Sequence, residues 1–237
     1  MTAPAPGHRW DLSEAEARAL QRQMAAEVIQ EDRLDEVHRV AGVDCGFPQR
    51  DGQEVARAAA VLLSFPDLEP LADALIEEPV RYPYVPGLLS FREAPAILAA
   101  LDRLPRLPDL ILADGHGRAH PRRFGIACHL GLLLDRPTIG CAKSPLVGRY
   151  AEPGAEVGDW APVVDRGETV GAAVRTRRGV KPMFVSVGHR VSLETAVKLV
   201  LVCGRGLRLP EPTRLADQLA SGRTVAARAR LAQERLL

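Results

Sequence analysis

Two acidic residues stand directly after short apolar runs. Asp44 follows residues 40–43, and Asp114 follows residues 110–113. A carboxylate at the end of a buried strand is costly unless it is paired or binds a cation. If the two strands are neighbours, both carboxylates lie at one edge of a sheet, where they can hold Mg²⁺ together with water and phosphate oxygens. The alternative is that each Asp only caps a turn.

Glu93 allows two interpretations. Residues 90–93 match a capping box, in which Glu93 closes the N-terminus of a helix. Pro95 argues against that register, because it would be the fifth helical residue and its missing N–H would cost a hydrogen bond. A helix that begins at Pro95 instead leaves Glu93 just outside the helix and free for another role.

A loop with two prolines precedes Glu93. Pro83 and Pro86 bracket Tyr84 and Val85 and make the loop stiff. Such a loop can present an aromatic ring and a branched apolar side chain as a wedge between stacked bases. The alternative is a stiff connection in which Tyr84 packs inward.

Basic residues and glycines follow Asp114. Residues 114–123 contain two Gly, two His and three Arg, which permit close backbone approach and could neutralise phosphate. Lys143 follows the apolar residues 138–142 and could stabilise a developing phosphate charge, or be only a solvated strand end. Asp217 lies near the start of a C-terminal helix, where an acid complements the helix dipole.

Composition limits the class of protein. The 237 residues carry 31 Lys+Arg against 30 Asp+Glu, and 46% are hydrophobic, as in a globular chain of one domain. The net charge of +1 argues against a partner held by bulk electrostatics, although a nucleic-acid enzyme with segregated charges remains compatible. No apolar run approaches the roughly 20 residues that span a bilayer. The four cysteines form no CxxC pair and the N-terminus lacks a signal-peptide pattern, so a cytoplasmic protein is expected.

Periodicity and turn residues predict an α/β fold with a mixed sheet covered by helices. Residues 71–81 are ambiguous, because their composition favours a helix whereas their length and position suit a strand. The predicted helices are 13–31, 96–104, 124–134 and 192–203, followed by an Arg-rich C-terminal helical segment that opens at Pro210 and Pro212. The predicted strands are 37–44, 55–65, 110–113, 138–142, 163–164, 170–174 and 183–187.

Taken in order, several of these segments resemble the endonuclease V family, the deoxyinosine 3′ endonucleases. The resemblance implies a ribonuclease H-like mixed β-sheet flanked by helices. It also implies one catalytic domain over residues 10–222, an extension over residues 1–9 and an Arg-rich tail over residues 223–237. The segments that carry the resemblance are 40–44, 83–93, 114–117, 120–125, 140–143, 186–190 and 210–217.

The resemblance assigns roles to the catalytic candidates. Asp44 and Asp114 match the main Mg²⁺ ligands of the family, and Glu93 matches its third carboxylate. Asp217 stands where family members have either His or Asp. Lys143 matches a lysine near the scissile phosphate, and His120 matches a histidine close to the site.

The resemblance also assigns the recognition residues. The wedge loop corresponds to Pro83, Tyr84, Val85 and Pro86, with Val85 where Ile is common in the family. The pocket for the flipped hypoxanthine corresponds to Gly87, Leu89, Gly115, Gly125 and Ile126.

The implied activity is repair of DNA that contains deoxyinosine. The family cuts the second phosphodiester bond 3′ to the lesion, leaves 3′-hydroxyl and 5′-phosphate ends, and uses Mg²⁺ with Mn²⁺ as a substitute. A monomer without a membrane partner is implied. Two alternatives remain open, an inosine-specific endoribonuclease on the same scaffold and a non-catalytic lesion-binding module. Retention of the acids and of Lys143 argues against the second.

Overall fold

A mixed β-sheet forms the centre of the computed structural model, which describes residues 8–223. Five helices accompany the sheet within these residues. The strands are β1 (Arg39–Gly46), β2 (Gln49–Arg50), β3 (Gln53–Ser64), β4 (Pro70–Pro79), β5 (Leu110–Ala113), β6 (Thr138–Ala142), β7 (Trp160–Asp165), β8 (Glu168–Val174) and β9 (Met183–His189). The helices are α1 (Glu14–Ala25), α2 (Leu89–Asp102), α3 (Ile126–Leu134), α4 (Leu193–Val202) and α5 (Glu211–Ser221).

The strand order brings the chemically interesting strands to the middle of the sheet. Neighbouring strands follow the order β2-β3-β1-β5-β6-β9-β8-β7, and β4 pairs with β3. The β1–β5 and β5–β6 pairs are parallel, whereas the remaining pairs are antiparallel. The carboxyl ends of β1, β5 and β6 therefore meet at one edge of the sheet.

Helices cover both faces of the sheet because the central strands alternate their apolar side chains between two cores. Ala41 and Val43 of β1 belong to one core, which includes residues of α1, α2 and α3. Val40 belongs to the other core, which includes residues of α4 and α5. The expected mixed sheet flanked by helices is confirmed.

The structure settles the ambiguous segment and corrects one boundary. Residues 71–81 contribute to strand β4, which pairs with β3 along nearly its whole length. Helix α1 has the expected capping box between Ser13 and Glu16, but it ends at Ala25 rather than near residue 31. After Ala25 the main chain bonds to a distant segment instead of continuing the helix. Ile29 N–H donates to His189 Nδ1, and the Ile29 carbonyl accepts from Arg190 N–H.

Both interpretations of the region around Glu93 are wrong. Helix α2 starts at Leu89 instead of residue 96, so Glu93 and Pro95 lie inside the helix. No side chain caps its N-terminus, and the Ser90 hydroxyl lies 3.0 Å from His129 Nδ1 instead. A turn starts the helix early: Leu88 N–H donates to the Val85 carbonyl, with Pro86 and Gly87 (φ 79°) in the central positions of a type II turn.

The chain ends fall mostly outside the described part. Of the predicted extension over residues 1–9 only His8 and Arg9 are described, and the His8 ring lies 4.8 Å from the His129 ring. Of the predicted tail over residues 223–237 only Arg223 is described. Between residues 8 and 223 none of the helices is both long and apolar enough to cross a membrane.

Helix α5 lies directly on β1, and a glycine makes this contact possible. A Cβ atom on Gly42 would come within 1.9 Å of the Pro212 carbonyl oxygen, next to the start of the helix. Main-chain atoms cannot move away as a flexible side chain can, so only glycine permits this spacing. The contact fixes the helix that carries Asp217 against the strand that carries Asp44.

Replacement of Gly42 by Ala should therefore destabilise the protein. We expect Gly42→Ala to lower the free energy of unfolding by at least about 1–3 kcal/mol, the usual cost of overpacking. Gly46→Ala is the matched control, since a Cβ at Gly46 in the same strand would lie 3.8 Å from the Ala220 carbonyl oxygen in the same helix. Urea denaturation measures both variants, and equal stability of the two would contradict this account of the helix–strand contact.

Candidate active site

The structure places the two acids that follow the apolar runs side by side. Asp114 directly follows β5 as expected, whereas Asp44 lies inside β1, which continues to Gly46 because residues 44–46 still pair with β3. Strands β1 and β5 are parallel, with Val43 opposite Ala113. Asp114 N–H donates to the Val43 carbonyl at 3.0 Å, which keeps the two chains paired up to the carboxylates. The condition stated for a shared cation site, that the two strands are neighbours, is therefore met.

A third carboxylate and a lysine complete the cluster. Carboxylate oxygens of Asp44, Asp114 and Asp217 lie within 4.8 Å of one another, with Asp217 supplied by α5. Lys143 follows β6, and its Nζ atom lies 2.5 Å from Asp114 Oδ2 and 3.0 Å from Asp217 Oδ1. Four distant segments of the chain thus converge at the edge where β1, β5 and β6 end. We call these four residues the carboxylate cluster.

Negative charge accumulates in this cluster. Burial, together with the nearby Asp114 charge, raises the pKa of Asp44 to about 6. Burial also raises the pKa of Asp114, although the hydrogen bond from Lys143 opposes this. Carboxylates that repel one another in a partly buried site are a suitable donor set for a divalent cation. A bound cation compensates for the lost hydration of the carboxylates and for the repulsion between them.

Lys143 remains a cation in this setting. Burial alone would lower the pKa of its ammonium group, but the hydrogen bond to Asp114 and the two neighbouring negative charges raise it overall. The Lys143 side chain is also 42% exposed, so it can contact a bound anion from the solvent side.

Glu93 lies beside the carboxylate cluster. It is not among the three acids whose oxygens lie within 4.8 Å of one another. Burial, then the charges of Asp44 and Asp114, raise its pKa well above the usual value. The predicted metal set of Asp44, Asp114 and Glu93 therefore differs from the group that the structure brings together, in which Asp217 stands with the two strand-end acids.

Arg92 is a residue of this region to which the sequence analysis gave no role. It is buried, donates to the Tyr82 carbonyl at 3.3 Å and forms an ion pair with Glu54. Its guanidinium also lies 4.2 Å from the centre of the Phe47 ring. Arg92 thus connects α2 to the base of the proline loop. Only its position next to Glu93 hinted at this role, because its partners are distant in the sequence.

His120 bonds to the proline loop instead of to the carboxylates. Its Nδ1 accepts from Arg122 N–H at 3.2 Å, so Nε2 carries the proton and donates to the Gly87 carbonyl at 3.0 Å. Burial, then the Arg122 charge, lowers the pKa of His120 to about 4. The ring is therefore neutral at neutral pH, and its predicted catalytic role stays a prediction.

The proline loop presents one of its two apolar tips. Tyr84 is 69% exposed, between the exposed residues Pro83 and Pro86. Val85 is only 8% exposed, which corrects the expectation that both side chains are presented. The reason is packing, since Val85 joins a small apolar cluster with Ala17 of α1, Phe91 of α2, and Tyr82 and Leu88 of the segment between β4 and α2.

Three of the predicted pocket residues lie together. A Cβ on Gly115 would come within 2.7 Å of Ile126 Cγ2, and a Cβ on Gly125 would come within 2.2 Å of the His116 carbonyl oxygen. These glycines allow the segment after β5 to lie against the start of α3. Gly87 is partly buried and Leu89 is exposed, both near the start of α2.

The raised pKa of Asp44 predicts a pH-dependent stability. The folded protein holds this proton with a pKa of about 6, whereas an unfolded Asp titrates near 4, so the free energy of unfolding should fall as pH rises from about 4 to about 6. Without divalent ions, we expect Asp44→Asn to be more stable than wild type at pH 7.5, by about 1–3 kcal/mol. At pH 4 the difference should largely vanish.

Urea denaturation in EDTA at both pH values measures this effect. Asp11→Asn is the control, because the Asp11 side chain is 83% exposed. Parallel pH profiles for wild type and Asp44→Asn would contradict the proposed electrostatic penalty.

Comparison with known proteins identifies the family. The endonuclease V family model matches residues 22–218. Endonuclease V of Roseiflexus sp. strain RS-1 is 54% identical over 212 residues, which are 90% of this chain and 94% of that protein.

Solved structures agree with this family. The crystal structure of endonuclease V from Streptomyces avermitilis has a TM-score of 0.85 and 44% identity, with all of both chains covered, which confirms the ribonuclease H-like fold. Endonuclease V of Ciona intestinalis, in complex with a 24mer DNA containing an inosine followed by a ribo-adenosine, has a TM-score of 0.77 and 31% identity over 88% of this chain and 96% of that one. The chain belongs to the endonuclease V family.

Proposed function

We propose that this protein is a DNA repair endonuclease that recognises deoxyinosine and hydrolyses the second phosphodiester bond 3′ to it, leaving 3′-hydroxyl and 5′-phosphate ends. The observation that carries the proposal is the carboxylate cluster, in which three acids and one lysine converge at the edge of the sheet. The inosine-containing DNA bound to the Ciona intestinalis relative supports the choice of lesion.

The donor set of the cluster fits Mg²⁺, with Mn²⁺ as a substitute. Asp44, Asp114 and Asp217 would hold the ion, with Glu93 beside them, because hard divalent cations prefer carboxylate oxygens. When bound, such an ion lowers the pKa of water and stabilises charge on a phosphate. The raised pKa values of Asp44 and Asp114 support this assignment, since a bound ion would offset both the burial of these carboxylates and their repulsion by neighbouring acids.

Lys143 would act on the phosphate directly. Its ammonium group is held by Asp114 and Asp217, so it is already oriented at the site. A preoriented cation stabilises the charge that develops on phosphate oxygens without reorganisation during the reaction. The carboxylates thus have a second role, which is to position the lysine.

Recognition would occur at the proline loop and the neighbouring glycine segments. Tyr84 would enter the base stack as the wedge, because its ring is exposed on a stiff loop. The flipped base would enter the pocket lined by Gly87, Leu89, Gly115, Gly125 and Ile126. A weakly paired inosine costs less to extrude than a normal base, and this difference contributes to selectivity.

Inosine-containing RNA is a second candidate substrate. The DNA in the Ciona intestinalis complex carries a ribonucleotide directly after the inosine, so a 2′-hydroxyl is compatible with binding to that relative. Cleavage of matched DNA and RNA oligonucleotides under identical conditions distinguishes the two substrates.

Removal of a cluster carboxylate should abolish cleavage while sparing binding. We expect Asp114→Asn to lower the rate of Mg²⁺-dependent nicking of an inosine-containing duplex by at least about 100-fold. Mapping the cut on a labelled strand tests the proposed position, and Asp11→Asn is the matched control. Undiminished nicking by Asp114→Asn would refute the active site, and a wild-type protein that binds but never nicks would favour a binding module.

Loss of the exposed ring should weaken recognition. Stacking of a base on an aromatic side chain is worth about 1–3 kcal/mol, so Tyr84→Ala should bind the inosine duplex roughly 5- to 150-fold more weakly. Thermal stability should hardly change, because Tyr84 is 69% exposed. Fluorescence anisotropy with inosine and adenine duplexes measures the effect, with Val157→Ala, a change at an apolar residue that is 60% exposed, as control. If Tyr84→Ala prefers the inosine duplex over the adenine duplex as strongly as wild type does, Tyr84 has no role in recognition.

A further inference from the structure

A buried glutamine of α1 joins the two segments that form opposite parts of the proposed recognition site. We propose that Gln21 is a positioning residue for lesion recognition, which fixes the Gly87 turn relative to the start of α3. This inference rests on the proposed function and assigns a role to a helix outside the motifs discussed so far.

The Gln21 amide uses all of its polar atoms within the protein. Its Nε2 group donates to the Gly87 carbonyl at 3.1 Å and to the Phe124 carbonyl at 3.2 Å. Its Oε1 atom accepts from Arg122 Nε at 2.5 Å. The side chain is 1% exposed, so these bonds form without competition from water. Because each amide atom has a partner of the right kind, the orientation of the amide is determined.

The first of these partners is a crowded carbonyl. Besides Gln21, His120 Nε2 donates to the Gly87 oxygen at 3.0 Å, and Arg122 Nη2 donates to it at 2.5 Å. Three side chains therefore restrain one peptide group, directly after the loop that presents Tyr84. A Cβ on Gly87 would come within 2.6 Å of Arg122 Nη2, so the turn and these donors are closely fitted.

The second partner leads to the other side of the recognition site. Phe124 is fully buried and immediately precedes Gly125 and Ile126, the proposed pocket residues at the start of α3. Gln21 is separated from its two carbonyl partners by 66 and 103 positions in the sequence. One amide group thus sets the spacing between a wall that contains Gly87 and a wall that contains Gly125.

Loss of the amide should affect recognition more than chemistry. Without it, two buried carbonyls lose a donor and Arg122 loses an acceptor, so the turn can shift relative to α3. The carboxylate cluster is held by the separate β1–β5 pairing and by α5. A defect in positioning should therefore appear in the protein concentration needed for half-maximal cleavage rather than in the maximal rate.

Two isosteric variants and one matched control test the proposal. Gln21→Met keeps the length of the side chain without hydrogen bonds, and Gln21→Glu keeps the acceptor for Arg122 but removes both donors. Gln23→Met makes the same change at an exposed position of the same helix. Single-turnover nicking over a range of protein concentrations is measured on an inosine duplex, and anisotropy compares its affinity with that of an adenine duplex.

We expect both Gln21 variants to lose inosine-over-adenine discrimination by about 5- to 100-fold. The half-saturating concentration should rise, the maximal nicking rate should change much less, and Gln23→Met should resemble wild type. If Gln21→Met does not fold, Gln21→Glu decides the question. Folded variants that retain full discrimination would overturn this inference alone, whereas a wild-type protein without preference for inosine would overturn the proposed function and this inference with it.

Discussion

Repulsion between carboxylates at one edge of the sheet is the constraint on which the candidate site depends. The parallel pairing of β1 with β5 places Asp44 beside Asp114, and the close packing of α5 on Gly42 fixes the helix that adds Asp217. Lys143 offsets part of this charge, yet the pKa of Asp44 stays raised. The burial and the mutual repulsion that make these carboxylates costly to the fold therefore favour the binding of a cation.

The proposed recognition elements are assembled separately from the carboxylate cluster and are connected to it through α2. The Gly87 turn is held by donors from α1 and from the segment before α3, none of which belongs to the carboxylate cluster. Arg92 provides the connection, because it neighbours Glu93 in α2 and also bonds to Tyr82 at the base of the proline loop.

Local sequence patterns predicted much of the fold and failed where tertiary contacts compete with them. The apolar runs before Asp44 and Asp114 correctly indicated buried strands, and the structure shows that these strands are neighbours. The early start of α2 was missed, because the turn at Gly87 outweighs the usual preference for proline in the first helical position. Val85 was expected at the surface with Tyr84, but it is buried against α1, which is distant in the sequence.

The amino-acid sequence by itself determined the family, the α/β class and the identity of the strand-end acids, because these depend on short motifs and on their order along the chain. The tertiary structure decided which carboxylates lie together, where Lys143 points and how Gln21 joins two loops. Such contacts connect residues as distant in the sequence as Asp44 and Asp217. Their formation depends on how the strands pair and how the helices pack, and no local pattern of residues encodes those distances.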